Sequence, residues 1–134
     1  MRQIKSTITI FNIYCTDDTL DGEFKLSMNL ISREELKQKL DRGDKFKLVN
    51  ALGEWAFNAK HIPGSINVSK MQDAKKMLNH DDDIVIYCSN PSCIASIIGY
   101  QLLTRMGYNK LRRYAGGISD WEQAGYPLEG NFVS

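Results

Sequence analysis

No apolar run in the 134 residues approaches the ~18 needed to cross a bilayer, which argues against a membrane-spanning helix. The amino terminus, Met1-Arg2-Gln3-Ile4-Lys5, is basic, but no apolar core follows it. Ile8, Ile10, Phe11 and Ile13 are interleaved with Thr9 and Asn12, which is not the pattern of a secretory signal. The formal net charge is only +1, so no overall field draws nucleic acid or an acidic membrane surface, and neither is an expected partner. Cysteine is scarce and odd in number: Cys15, Cys88 and Cys93. An odd count without an export signal points to a reducing, cytoplasmic setting and free thiols. A four-ligand zinc site would have to recruit both His61 and His80 at no recognised spacing, so no metal and no cofactor is expected. Asp81-Asp82-Asp83 lacks the glycine and bidentate glutamate of a calcium loop and reads as a polar turn. There are no repeats and no low-complexity segments.

What is present fits one domain with a real core: 43% hydrophobic and 25% charged residues in a chain of this length. Residues 1–28 read as an amino-terminal extension. Loose alternation through Thr7–Tyr14, a turn at Asp17 to Gly22, and Phe24, Leu26 and Met28 predict an extra strand or hairpin. Cys15 lies there with nothing around it to activate it. Ser32-Arg33-Glu34-Glu35 is a capping box, and Leu36, Leu40 and then Gly43 mark the helix it opens and closes. Short strands are expected over Phe46–Val49, Ile66–Val68 and Lys110–Tyr114. Short helices are expected within Gly53–Lys60 and Lys70–Leu78 and around Ile118 and Trp121. Residues 130–134 read as an extended tail. Strands alternating with helices predict an α/β fold: a mostly parallel central sheet with helices on both faces.

One stretch is built for chemistry. Ile84-Val85-Ile86-Tyr87 is a short continuous apolar run, as in a strand buried on both faces, and it stops at Cys88. Ser89, Asn90, Pro91 and Ser92 are turn formers, and a helical pattern follows from about Cys93. Ile94, Ile97, Ile98, Leu102 and Met106 fall near one stripe, which predicts the buried face of that helix. Cys88 is thus expected at the carboxyl end of a strand, where open α/β sheets bind ligands. Backbone N–H groups at the helix entry would favour a thiolate there. His61 has no acidic or nucleophilic neighbour in sequence and reads as a structural histidine of the Pro63-Gly64 turn.

These motifs resemble the rhodanese (sulfurtransferase) domain family over roughly residues 29–129. Leu48-Val49-Asn50 stands where the family ends a strand with aspartate. His61-Ile62-Pro63-Gly64-Ser65-Ile66 matches its HIPGA-type turn. Cys88 to Cys93 matches a six-residue active loop that begins with the cysteine. Gly107-Tyr108, Gly116-Gly117-Ile118 with Trp121, and Ala124-Gly125-Tyr126-Pro127 match its carboxyl-terminal signature. The resemblance implies a three-layer α/β domain and a sulfur carrier. Cys88 would accept a sulfane sulfur as a persulfide, cradled by the backbone of Ser89, Asn90, Pro91, Ser92 and Cys93. The implied partners are a small sulfur donor and a thiol or other nucleophile as acceptor, including a protein acceptor.

The departures from the family pattern also matter. Asn50 replaces the usual aspartate, and Leu52 stands where arginine is frequent. The loop carries no lysine or arginine to meet a thiosulfate dianion, so a persulfide or polysulfide donor is expected to serve better. Cys93 is the candidate redox partner of Cys88, against a reading in which it only lines the pocket. A phosphatase or arsenate reductase would close its loop with arginine, and the sixth position after Cys88 is Ile94. The alternative that stays open is a non-catalytic or redox-sensing interaction module built on the Cys88/Cys93 dithiol.

Overall fold

The structure, a computed structural model, describes residues 28–133. The strand or hairpin expected over 1–28, and Cys15 with it, lies outside the described residues apart from Met28, which packs against the core. Helix α1 (Arg33–Arg42) opens on Ser32, whose hydroxyl oxygen accepts the Glu35 N–H at 3.0 Å. It closes on Gly43 at φ 72°, a left-handed conformation that glycine takes without a steric penalty. The other half of the capping box does not form. The Glu35 carboxylate turns instead to Arg112 at 2.6 Å, a charged partner that outcompetes a backbone N–H.

Among the described residues the sheet is four-stranded and wholly parallel. Strands β1 (Lys47–Asn50), β2 (Ser65–Asn67), β3 (Ile84–Tyr87) and β4 (Leu111–Arg113) lie in the order β2-β1-β3-β4. Leu30 adds a single parallel bridge to Arg113 on the outer side of β4. The connections carry α2 (Glu54–Ala59), α3 (Ala74–Met77) after a tight turn at Met71–Asp73, and α4 (Ala95–Arg105); α5 (Gly117–Gln123) follows β4. The helix expected over 70–78 is shorter because Leu78 takes an extended backbone as it enters the core.

All four residues of β3 are buried, as its unbroken apolar run requires. Ile84 and Ile86 join Val49, Leu78, Tyr100 and Leu103 on one face. Val85 and Tyr87 join Leu36, Leu48, Ile118 and Trp121 on the other. Helices α3 and α4 therefore cover one face and α1 and α5 the opposite one.

One expectation is corrected. The buried face of α4 is Ser96, Gly99, Tyr100 and Leu103, whereas Ile94 and Ile98 are 63% and 46% exposed. Small residues at 96 and 99 belong to that face, and Ser96 accepts from Arg113 of β4. A periodicity count that weighs only large apolar residues does not register them. The helix also begins at Ala95, two residues later than the pattern indicated.

Candidate active site

Parallel pairing places Asn50 beside Asn67 and beside Tyr87, so three strands end level with one another, and Cys88 is the next residue of the chain. The loop Cys88–Cys93 is backed by α5. The Ile118 N–H donates to Cys88 O at 3.0 Å and the Ser119 N–H to Ser89 O at 2.9 Å. Gly117, at φ 69°, makes that contact possible. A Cβ on it would lie 2.7 Å from Cys88 O and 2.8 Å from Asn90 N. Its place in the family signature thus has a local cause: the loop backbone occupies the space of a side chain.

The thiol of Cys88 is not open to solvent. The residue is 1% exposed, and its Sγ lies 3.3 Å from Ser96 Oγ and 3.5 Å from Cys93 O. Cys93 is the partly exposed sulfur of the pair. The cradle is also made differently from expectation. Pro91 has no N–H. The Ser92 N–H is held by Asn90 Oδ1 at 2.9 Å and the Cys93 N–H by Asn90 O at 3.1 Å. The Asx turn of Asn90 satisfies these donors locally before a ligand arrives. The polar partners of the Cys88 sulfur are instead Cys93 O and the Ser96 hydroxyl.

The two thiols are driven apart in acidity. Burial pushes Cys88 up, as does its hydrogen bond to Cys93, while Ser96 pulls the other way. For Cys93 burial again acts upward, but the Cys88 thiol and the Ser89 and Ala95 N–H groups together hold it below an ordinary thiol. Burial and Ser96 thus act on Cys88 in opposite senses, and of the two thiols Cys93 is the one lowered.

Sequence reasoning missed a cation. The loop is neutral, but Arg113 of β4 reaches the site from the sheet. Its Nε donates to Ser96 Oγ at 2.9 Å, and that hydroxyl in turn contacts Cys88 Sγ. Burial lowers the Arg113 guanidinium, while attraction to Cys88 and Cys93 raises it. The signal was available: one of two adjacent arginines in a three-residue strand must point inward, because neighbouring strand residues face opposite sides. Arg112 points outward to Glu35.

His61 is not part of this site. Its Nδ1 lies 2.7 Å from Phe57 O, its ring stacks on Phe57 at 4.0 Å, and its Nε2 is 3.3 Å from Glu129. Asn50 is fully buried; its Oδ1 accepts the Leu52 N–H at 2.9 Å, while Nδ2 has no partner among the described residues. Beside the loop, a groove of about 360 Å³ is lined by Trp55, Ala56, Ser89, Asn90, Ile118 and Phe132, among others. Among its described lining residues the one cation is Lys60, bound to both carboxylate oxygens of Glu122 at 3.0 and 2.8 Å. No helix of the described residues is long and apolar enough to cross a membrane.

Comparison with known proteins gives a consistent result. The family model for the rhodanese-like domain matches residues 32–124. The HTH-type transcriptional regulator Rv0324 of Mycobacterium tuberculosis is 30% identical over 101 residues, which are 74% of this chain and 44% of that protein. YrkF of Bacillus subtilis, named for a proposed role as a sulfur carrier protein, is 25% identical over 93 residues, 68% of this chain and 49% of that one. The chain thus spans less than half the length of these curated relatives. Among solved structures, the rhodanese-like domain of the Alr3790 protein from Anabaena superposes with a TM-score of 0.67 at 23% identity, covering 77% of this chain and 80% of that one.

Proposed function

The chain belongs to the rhodanese-like domain family, and from that premise we propose that it is a sulfurtransferase carrying sulfane sulfur as a persulfide on Cys88. The observation that carries this reading is the place of Cys88. It directly follows the buried central strand β3 and opens a six-residue loop, with its sulfur 3.5 Å from Cys93 O and 3.3 Å from a buried hydroxyl. In the transfer step Cys88 gives its proton to the Cys93 thiolate and attacks the outer sulfur of a donor R–S–SH. The new Cys88–S bond forms, the donor S–S bond breaks, and RS⁻ leaves with the electron pair. An acceptor nucleophile then attacks the terminal sulfur and Cys88 leaves as thiolate, so there is no net oxidation.

The thiol is covered, and loading requires the loop to lift. Ser92 and Cys93 make only local backbone bonds, to Asn90, and Pro91 and Ser92 are exposed, so the tip can move without breaking the sheet. The donor is a persulfide or polysulfide rather than thiosulfate. The groove beside the loop is largely apolar and its lysine is already paired, which suits an organic body better than a free dianion.

Cyanolysis tests the reading. Protein incubated with glutathione persulfide is expected to release thiocyanate, and Cys88→Ala is expected to release none. Loading by thiosulfate at the same concentration is expected to be the weaker. Thiocyanate from Cys88→Ala equal to that from the parent would end the assignment.

A second reading is favoured by the closeness of the two cysteines, with Cys88 Sγ 3.5 Å from Cys93 O. In a redox-sensing module, peroxide would oxidise the pair to a Cys88–Cys93 disulfide, itself being reduced to water. Intact mass after mild peroxide, in the parent and in Cys93→Ser, separates the two. A parent that loses no hydrogen pair under peroxide excludes the sensor.

A further inference from the structure

We infer that Arg113 is the counter-cation of the sulfur anion in this site, holding the charge on the Cys88/Cys93 pair from beneath the loop and passing it to Cys88 through Ser96. The inference rests on the sulfur-carrier reading and adds to it a positioning residue that lies outside the loop. Three observations meet. Arg113 is only 6% exposed, and no carboxylate among the described residues lies within salt-bridge reach of it. Its Nη2 is buried with no partner among them. Its Nε grips the oxygen that touches Cys88 Sγ.

A buried guanidinium without an anion is costly, and a fold that keeps one normally supplies a counter-charge. Cys93 on the loop is the ionisable group that bears on Cys88 directly, and Arg113 of β4 reaches it through the Ser96 hydroxyl. The groups that act on Arg113 in turn are these same two cysteines. The sulfurs are therefore the anion for which the arginine is placed.

Ser96 makes the connection directional. While its oxygen accepts from Arg113 Nε, its own proton is free to turn to sulfur once Cys88 is anionic, as thiolate or as persulfide. The cation sits on the inner side of the sulfur and is shielded from solvent. It therefore favours an anion already bound to the protein and offers little to a dianion approaching from outside. Thus a neutral loop and a stabilised persulfide are compatible.

The test uses the full chain carrying Cys93→Ser, so that the thiolate must reside on Cys88. The pH profile of Cys88 alkylation by iodoacetamide is measured with Arg113 intact, as Arg113→Met and as Arg113→Lys. Arg113→Met is expected to raise the apparent pKa by about 1 unit, a roughly tenfold loss of thiolate below it, with Arg113→Lys falling between. Superimposed profiles for intact and Arg113→Met protein of matching circular dichroism would overturn the inference. So would equal shifts in Met and Lys variants, since the effect would then be one of packing and not of charge. If Arg113→Met does not fold, Ser96→Ala serves: its profile must also move upward, and an unmoved profile removes the relay. Because alkylation needs no sulfur donor, a failure here is distinct from a failure of cyanolysis.

Discussion

Gly117→Ala isolates the contact that shapes the loop. Two terms apply. Alanine at φ 69° carries left-handed strain of about 1–2 kcal/mol. Its Cβ would also lie 2.7 Å from Cys88 O, 2.8 Å from Asn90 N and 2.8 Å from Ser89 C. Backbone atoms cannot swing aside as a side chain can, so the loop must retreat by roughly 0.7 Å, which adds about 1–3 kcal/mol of overpacking. Gly125 is the internal control: φ is 78°, and nothing lies within 4 Å of its Cβ position, so Gly125→Ala carries the strain alone. Urea unfolding is expected to show losses of about 2–5 kcal/mol for Gly117→Ala and about 1–2 kcal/mol for Gly125→Ala. Misplacing a reacting group by ~1 Å lowers rates on the order of a hundredfold, so persulfide loading should fall at least tenfold in Gly117→Ala and stay near the parent level in Gly125→Ala. Equal destabilisation of the two variants, with equal loading, would refute the claim that the loop rests on Gly117.

Other outcomes follow from the same geometry. His61→Ala loses a hydrogen bond and a stacked ring, and should lower stability by about 1–2 kcal/mol with sulfur loading per folded molecule unchanged. Comparison of urea midpoints with cyanolysis yields checks this, and a selective loss of loading would make the histidine catalytic. Leu103→Ala should cost about 2–5 kcal/mol by leaving a cavity, while Ile98→Ala should stay within about 0.5 kcal/mol; the reverse order would restore the isoleucine stripe as the buried face of α4. Near pH 7 iodoacetamide should label Cys93 before Cys88, as peptide mass mapping would show, since Cys93 is the more exposed and the lower in pKa. The two thiols act on stability with opposite sign. Cys93, lowered in the fold, adds stability that is present above its unfolded pKa and lost as pH falls through the folded value. Cys88, raised, adds stability that is present below its unfolded pKa and lost as pH rises through the folded value, so any alkaline loss of stability should be smaller in Cys88→Ala than in the parent, as urea midpoints across pH would show.

Much of this molecule is local and could be read along the chain. The uninterrupted Ile84–Tyr87 run, the Ser32 cap and Gly43 each carry a signal written within a few residues: a continuous apolar stretch, an orphan N–H, a positive φ; Gly116-Gly117 mark a turn in the same way, but the backbone that Gly117 makes room for belongs to the distant Cys88 loop. Their order along the chain was enough to indicate a parallel α/β sheet and to place Cys88 at the end of its central strand. What depended on distant parts of the chain could not be read this way. The buried face of α4 carries Gly99 and Ser96, whose hydroxyl meets Arg113 of β4 and Cys88, and small residues leave no mark on a hydrophobic stripe. Glu35 left its box for Arg112, 77 positions away. The charge of the site was decided last of all. Whether Cys88 or Cys93 holds the proton depends on burial, and the balancing cation comes from a strand joined to the loop only through space, by one serine hydroxyl.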